Sequence, residues 1–229
     1  MRKLGIILVF LMVACAKDSD NLMTVKGSVK NLKKGTLYLQ KVVDSIRVSV
    51  DSVRLEGSGD FILTDEVASP EIYFVTLDKS PEKTILFFGE AGEITINTKL
   101  DRFNFSSDIK GLANQELLEE FNNMRSKFNN KQLDLLKADF EARRDSDSLQ
   151  MDSITKQMNR LTTNRYLYTT NFALLNYEHE VAPYLALSEL FNANIKLLDT
   201  INNSLSKPVK NSKYGKQLAD YIEQIKANN

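Results

Sequence analysis

Cys15 is the only thiol in a chain of 229 residues, and it stands directly behind Met12-Val13-Ala14 at the end of an apolar run. Arg2 and Lys3 precede that run, which extends from Leu4 to Ala14. A bilayer core needs about 20 apolar residues, so the run is too short for a membrane span and has the form of a secretory h-region. Small residues before a cysteine suit a lipoprotein signal peptidase, and the thiol suits acyl transfer. The reading is therefore a signal peptide over 1–14 and a lipidated Cys15, carrying palmitate-type chains. Residues 15–22 would form a polar tether, because Ala16-Lys17-Asp18-Ser19-Asp20-Asn21 has nothing to bury. The expected location is the cell envelope of a bacterium, anchored to the outer membrane on its periplasmic or surface face. Lipidation would use up the thiol and leave residues 15–229 without disulfide, redox pair or cysteine nucleophile.

Other residues invite chemistry and mostly lack the partners for it. His179 is the sole histidine, in Asn176-Tyr177-Glu178-His179-Glu180. Neighbours in sequence point apart, whereas zinc requires three or four convergent ligands, so no metal role is assigned. Asp145-Ser146-Asp147 begins like a calcium loop, but such a loop needs an oxygen ligand, then Gly, then Glu, where Leu149, Gln150 and Lys156 stand. Gly57-x-Gly59 has no third glycine and reads as a hairpin turn. No Gly-x-Ser-x-Gly elbow occurs. No catalytic residue, cofactor or metal is expected, and the chain is read as a non-enzyme.

One triplet exceeds chance. Asp, then Ser or Thr, then an aliphatic residue occurs at Asp44-Ser45-Ile46, Asp51-Ser52-Val53, Asp147-Ser148-Leu149, Asp152-Ser153-Ile154 and Asp199-Thr200-Ile201. A random order of this composition gives about one. The triplet resembles the acceptor signal of a bacterial O-glycosylation system, with Ser148 the favoured acceptor and Ser153, Ser45, Ser52 and Thr200 the others. Asp-Ser pairs also cap helices and shape bulges, which explains them without a glycan.

The elements that must position these residues fall into two halves. From Met23 to about Gly111 the apolar residues alternate, as in Thr24 to Val29, Gly35 to Gln40 and Ile46 to Val50. Val53 and Leu55 are out of phase with Ile46, Val48 and Val50, so a bulge or bend is expected at Asp51-Ser52. Further strands are expected at Phe61–Leu63, Ile72–Leu77, Thr84–Phe88, Ile94–Thr98 and Arg102–Phe105. Near Asn114 the period changes to that of a helix, with Leu117, Phe121, Met124 and Phe128 on one stripe. A second helix follows from Leu149 to Leu175, a third from Pro183 to Leu198, and a fourth opens at Ser212. The expected fold is α+β: an antiparallel β-sandwich or barrel-like sheet over 23–112, then about four helices over 113–229.

Equal numbers of cations and anions, 30 each, fall to a slight acidic excess once Arg2 and Lys3 are removed. A near-neutral chain without a basic run gives no reason to expect nucleic acid as a partner.

Val25-Lys26-Gly27-Ser28-Val29, Gly35-Thr36-Leu37-Tyr38-Leu39, Asp51-Ser52-Val53-Arg54-Leu55, Gly59-Asp60-Phe61 and Phe87-Phe88-Gly89-Glu90-Ala91-Gly92-Glu93-Ile94 resemble domain of unknown function 4369. That domain commonly precedes a thioredoxin-like redoxin domain (the alkyl hydroperoxide reductase/thiol-specific antioxidant type) in outer-envelope lipoproteins. Pro183 to Leu198 and Ser212-Lys213-Tyr214-Gly215 resemble the segment joining the two. No position up to Asn229 matches a Cys-x-x-Cys site, so the resemblance implies the non-redox front part of such a protein. It implies a lipid-anchored protein that binds or scaffolds, or an accessory subunit that docks a redoxin carried by another chain.

Overall fold

The computed structural model describes residues 21–228, so Cys15 and the signal segment lie outside the described residues, as does most of the tether. Eight strands come first: β1 (Leu22–Lys30), β2 (Lys34–Val43), β3 (Ile46–Glu56), β4 (Asp60–Glu66), β5 (Glu71–Leu77), β6 (Ser80–Gly89), β7 (Gly92–Lys99) and β8 (Asp108–Lys110). They form two four-stranded sheets, ordered β4-β1-β7-β8 and β3-β2-β5-β6. Every pairing is antiparallel except β1 with β7, which is parallel, from Met23↔Gly92 to Lys30↔Lys99. The alternating residues of both sheets meet in one core of Val25, Leu37, Leu39, Leu63, Tyr73, Val75, Phe87, Ile94 and Ile96.

The expected irregularity in β3 is a bulge. Leu39 pairs with Asp51 and Gln40 with Ser49, so Val50 is the extra residue that reverses the phase. Asp51 then turns its carboxylate to the amides of Ser52 (2.7 Å) and Thr64 (2.8 Å), tying β3 to β4 at one corner of the sandwich.

Two expectations are corrected. Arg102–Phe105 is not a strand. A 3-10 turn covers Leu100–Arg102 and leads into a loop in which the Thr98 hydroxyl donates to the Phe103 carbonyl (2.7 Å) and that of Ser106 to Arg102 (2.8 Å). These local bonds outcompete a ladder. Phe103 is buried beneath the loop and Phe105 lies on the surface. The third helix is also not continuous to Leu198. The helices are α1 (Ala113–Arg144), α2 (Ser148–Leu175), α3 (Val181–Glu189), α4 (Ile195–Ser204), α5 (Lys207–Lys210) and α6 (Lys213–Ala227). α3 stops at Leu190, and Asn194 caps α4 by accepting from the Lys196 amide (3.0 Å).

α1 and α2 make a long antiparallel hairpin, and its base, with α3 and α6, covers the outer face of the second sheet. Ile72 and Phe88 there pack with Leu118, Phe121, Phe172, Val181 and Leu185. This explains why β5 is apolar on both faces whereas β1 and β4 alternate: β5 is buried on both sides. α4, α5 and α6 enclose a third core with Leu198, Ile201, Val209, Leu218 and Ile222.

Candidate functional site

Where the helices meet the outer face of the second sheet, they leave a cleft of about 540 Å³. Its floor is Ile72 and Phe74 of β5 and Leu86 of β6. The β2–β3 hairpin tip, Val42 to Ser45, forms one wall, and Tyr184 of α3 with Lys213, Tyr214 and Gln217 of α6 forms the other. The tip is a two-residue turn in which Asp44 and Ser45 have φ of 47° and 68°, the type I′ geometry that matches strand twist.

α6 is held in register against the sheet at its first turn. Ser212 caps it by accepting from the Gly215 amide (3.2 Å). A Cβ at Gly215 would overlap the Val209 carbonyl, so only glycine lets α6 approach α5 this closely. Next to it, the Tyr214 hydroxyl accepts from the Ile72 amide (3.0 Å), one residue past the last β2–β5 pair, Lys41↔Tyr73. The Lys213 ammonium pairs with Glu71 and donates to the Val42 carbonyl (2.8 Å), and its backbone amide bonds Ser69 (3.1 Å). One of its three N–H groups is thereby left for the cleft.

Tyr184, Tyr214 and Phe88 form an aromatic cluster, with centroid separations of 5.2 to 6.1 Å. Burial raises the pKa of both tyrosine hydroxyls, so near neutral pH they serve as hydrogen-bonding groups and not as bases. Arg47 stacks its guanidinium 3.9 Å above the Phe74 ring, beside the mouth. An apolar floor with a cation and hydroxyls converging at one side is a geometry for binding.

A second arrangement joins the two halves. Asn114, 1% exposed in the first turn of α1, uses every side-chain group. Its amide nitrogen donates to Glu90 (3.2 Å) and Glu180 (3.0 Å), and its oxygen accepts from the Val181 amide (2.9 Å). Gln115 beside it accepts from the Phe88 amide (2.8 Å) on the outer edge of β6.

The residues singled out from sequence are not gathered in the cleft, apart from Ser45 on its rim. His179 is half-buried in the loop before α3, where its backbone bonds Asn176 and Ala182. Neighbouring Glu180 belongs to the Asn114 network. Among the described residues, no three of His, Cys, Asp and Glu stand together as a metal site would require. Ser45, Ser52, Ser148, Ser153 and Thr200 are all exposed and widely scattered. Four of their aspartates have structural work. Asp51 ties the corner, Asp147 caps α2 through the Gln150 amide (3.0 Å), Asp152 pairs with Lys156 and Asp199 with Lys226.

Lys213, Tyr184 and Phe74 were not sequence candidates for a site. The one signal was the unbroken apolar run of β5, which foretells a covered outer face but not the gap in its cover.

The family model described as Domain of unknown function (DUF4369) matches residues 23–118. That stretch is the whole sandwich together with the start of α1. The β half is similar to such a domain. The match runs past Leu112 to take in Asn114 and Gln115, the two side chains of α1 that bond the sandwich directly. The floor of the cleft thus lies within the DUF4369 match and the α3–α6 wall outside it. No curated protein and no solved structure matches the chain.

Proposed function

We propose that this chain is a non-catalytic binding or scaffolding protein of the bacterial envelope, anchored to the outer membrane by lipid on Cys15, and that its ligand enters the cleft between the second sheet and α6. The cleft carries the reading: an apolar floor built from Ile72, Phe74 and Leu86 faces a wall whose polar groups, Lys213, Tyr214 and Gln217, converge on one side. Glu71 already balances the Lys213 charge, which favours a ligand with an apolar body and a neutral hydrogen-bonding edge. The resemblance to the front region of redoxin-type lipoproteins makes a thioredoxin-like protein the first partner to look for.

The test is capture from detergent-solubilised envelope by the full chain and by Phe74→Glu, which buries a charge in the cleft floor. The expected outcome is a discrete partner held by the wild type and lost in the variant, with both forms equally folded by circular dichroism. Equal recovery by both forms would remove the cleft from the reading, and recovery of a redoxin would identify the chain as its accessory subunit. Labelled palmitate entering the wild type but not Cys15→Ala tests the anchor. Intact mass tests glycosylation, for which Ser148 at the start of α2 and Ser45 on the hairpin tip are open positions. A mass equal to that of the lipidated polypeptide alone would rule it out.

A further inference from the structure

Three of the four sheet edges are closed or short. β3 and β4 are joined through Asp51, and β8 has only three residues. β6 is different. Its pairings with β5 alternate, and the Phe88 amide, which points away from β5, is taken by Gln115 (2.8 Å). Two and four residues back, Leu86 and Thr84 share that orientation, so their N–H and C=O groups point to the open edge. Both ends of this stretch are closed by side chains: Gln115 at Phe88, and Asn104, which donates to the Glu82 carbonyl (2.9 Å). Between them the backbone groups of Thr84 and Leu86 have no partner among the described residues. An unpaired, uncharged edge of this kind is a template for another strand.

Beside it runs a groove of about 340 Å³ between β8 and α1, lined at its inner end by Leu86. Its ionisable lining residues are Asp108 and Glu119, with no cation among them. The side-chain oxygen of Asn122, also in the lining, is buried without a hydrogen-bond partner. Acceptors therefore dominate this wall.

We propose that the β6 edge takes an extended peptide, which adds as a strand along Thr84–Leu86 and places a lysine or arginine side chain in the groove toward Asp108, Glu119 and Asn122. Backbone pairing supplies affinity, and the acceptor-rich groove supplies selectivity for the basic residue. A second copy of this chain is disfavoured as the occupant, because edge-to-edge pairing would bring the Asp108 and Glu119 carboxylates of two copies together. This site borders the junction cleft, with which it shares the Leu86 side chain, but it uses the outward backbone of β6 and the groove beside α1, so either can fail alone.

The test uses the full chain in detergent micelles and a capped, fluorescein-labelled peptide, Thr-Val-Lys-Val-Thr-Val, followed by anisotropy and by shifts of the Thr84 and Leu86 amide resonances. Replacing the peptide lysine with glutamate should weaken binding about tenfold or more. In Leu86→Pro the ring removes only an outward-facing N–H and leaves the β5 ladder intact, so binding should fall by a similar factor while Leu86→Ala retains it. Gln217→Ala, on the α6 wall of the cleft and away from β6, should leave peptide binding unchanged. Equal affinity for the lysine and glutamate peptides, unchanged affinity in Leu86→Pro, or no binding at millimolar peptide would overturn the proposal. A dimer by sedimentation, with β6 amides protected in the absence of peptide, would overturn it in favour of self-association.

Discussion

The base and the tip of the α1–α2 hairpin are made from the same two helices and are held by different means. At the base, Leu118 and Phe121 of α1 and Phe172 of α2 pack against β5, β6 and α3, with Phe121 against Tyr168 and Phe172 at ring separations of 5.8 and 5.5 Å. At the tip the helices have only each other. Leu135, Ala142 and Ile154 are buried there, while Leu133, Leu136 and Leu149 are exposed and Phe140 is 70% exposed. The helical pattern is equally good in both places. What differs is whether a third surface is present to bury it, and most helix stability comes from that burial.

The sharpest test of this contrast is a pair of truncations. Phe121→Ala at the base should cost about 3–5 kcal/mol in denaturant unfolding, and Ile154→Ala at the tip about 2 kcal/mol, because a two-helix contact collapses more easily around a void. Equal costs would mean the tip is as firmly packed as the base. Next in size is Asn114→Ala. It leaves the Val181 amide without its acceptor and sets the carboxylates of Glu90 and Glu180 near one another without their shared donor, at a cost of about 3 kcal/mol by the same measurement.

The sandwich can be compared with the hairpin by pH. Burial, and then the hydrogen bond to Asp65, raises the Tyr73 hydroxyl far above its ordinary 10.0. Above pH 10 the unfolded chain releases that proton while the folded chain keeps it, so folded protein binds more protons and rising pH favours unfolding. The melting temperature should therefore fall as pH climbs past about 10, and fall less steeply in Tyr73→Phe. An unchanged slope in that variant would assign the effect to other groups.

Smaller effects belong to the tip. Asp147→Ala removes the cap of α2 and should cost about 1 kcal/mol. Amide exchange should quicken around Ser148 to Ile154 and not around Phe172. Phe140→Ser should leave stability within about 0.5 kcal/mol of wild type, since the ring is already in solvent.

The same contrast separates what was legible in the sequence from what was not. Alternation in β1, β2 and β4, the phase change expected at Asp51-Ser52 and found one residue earlier at Val50, the apolar stripe through Phe121 and the cap at Ser212 are local patterns, and the structure uses each of them. The break after α3 was written in Asn192 and Asn194 but hidden by apolar spacing that continues through Ile195 and Leu198. Phe103 and Phe105 alternate like a strand, yet hydroxyls that bond carbonyls four and five residues away decide that this segment turns. The parallel pairing of β1 with β7 brings together residues nearly 70 apart, and no local pattern carries that information. For the same reason the cleft was not visible: its floor lies near residue 74 and its wall near residue 214, and only the fold makes them neighbours.

The placement of β1 has a mechanical consequence. The first of the described strands is an interior member of its sheet, held by β4 from Leu22 to Ser28 on one side and by β7 from Met23 to Lys30 on the other. A pull applied at residue 22, the end nearest Cys15, runs along the strand and loads both ladders in shear. The hydrogen bonds then share the force together instead of opening one at a time, as they would if an edge strand were peeled away. A protein moored by its N-terminus would hold its fold under tension at the very strand where the tension enters.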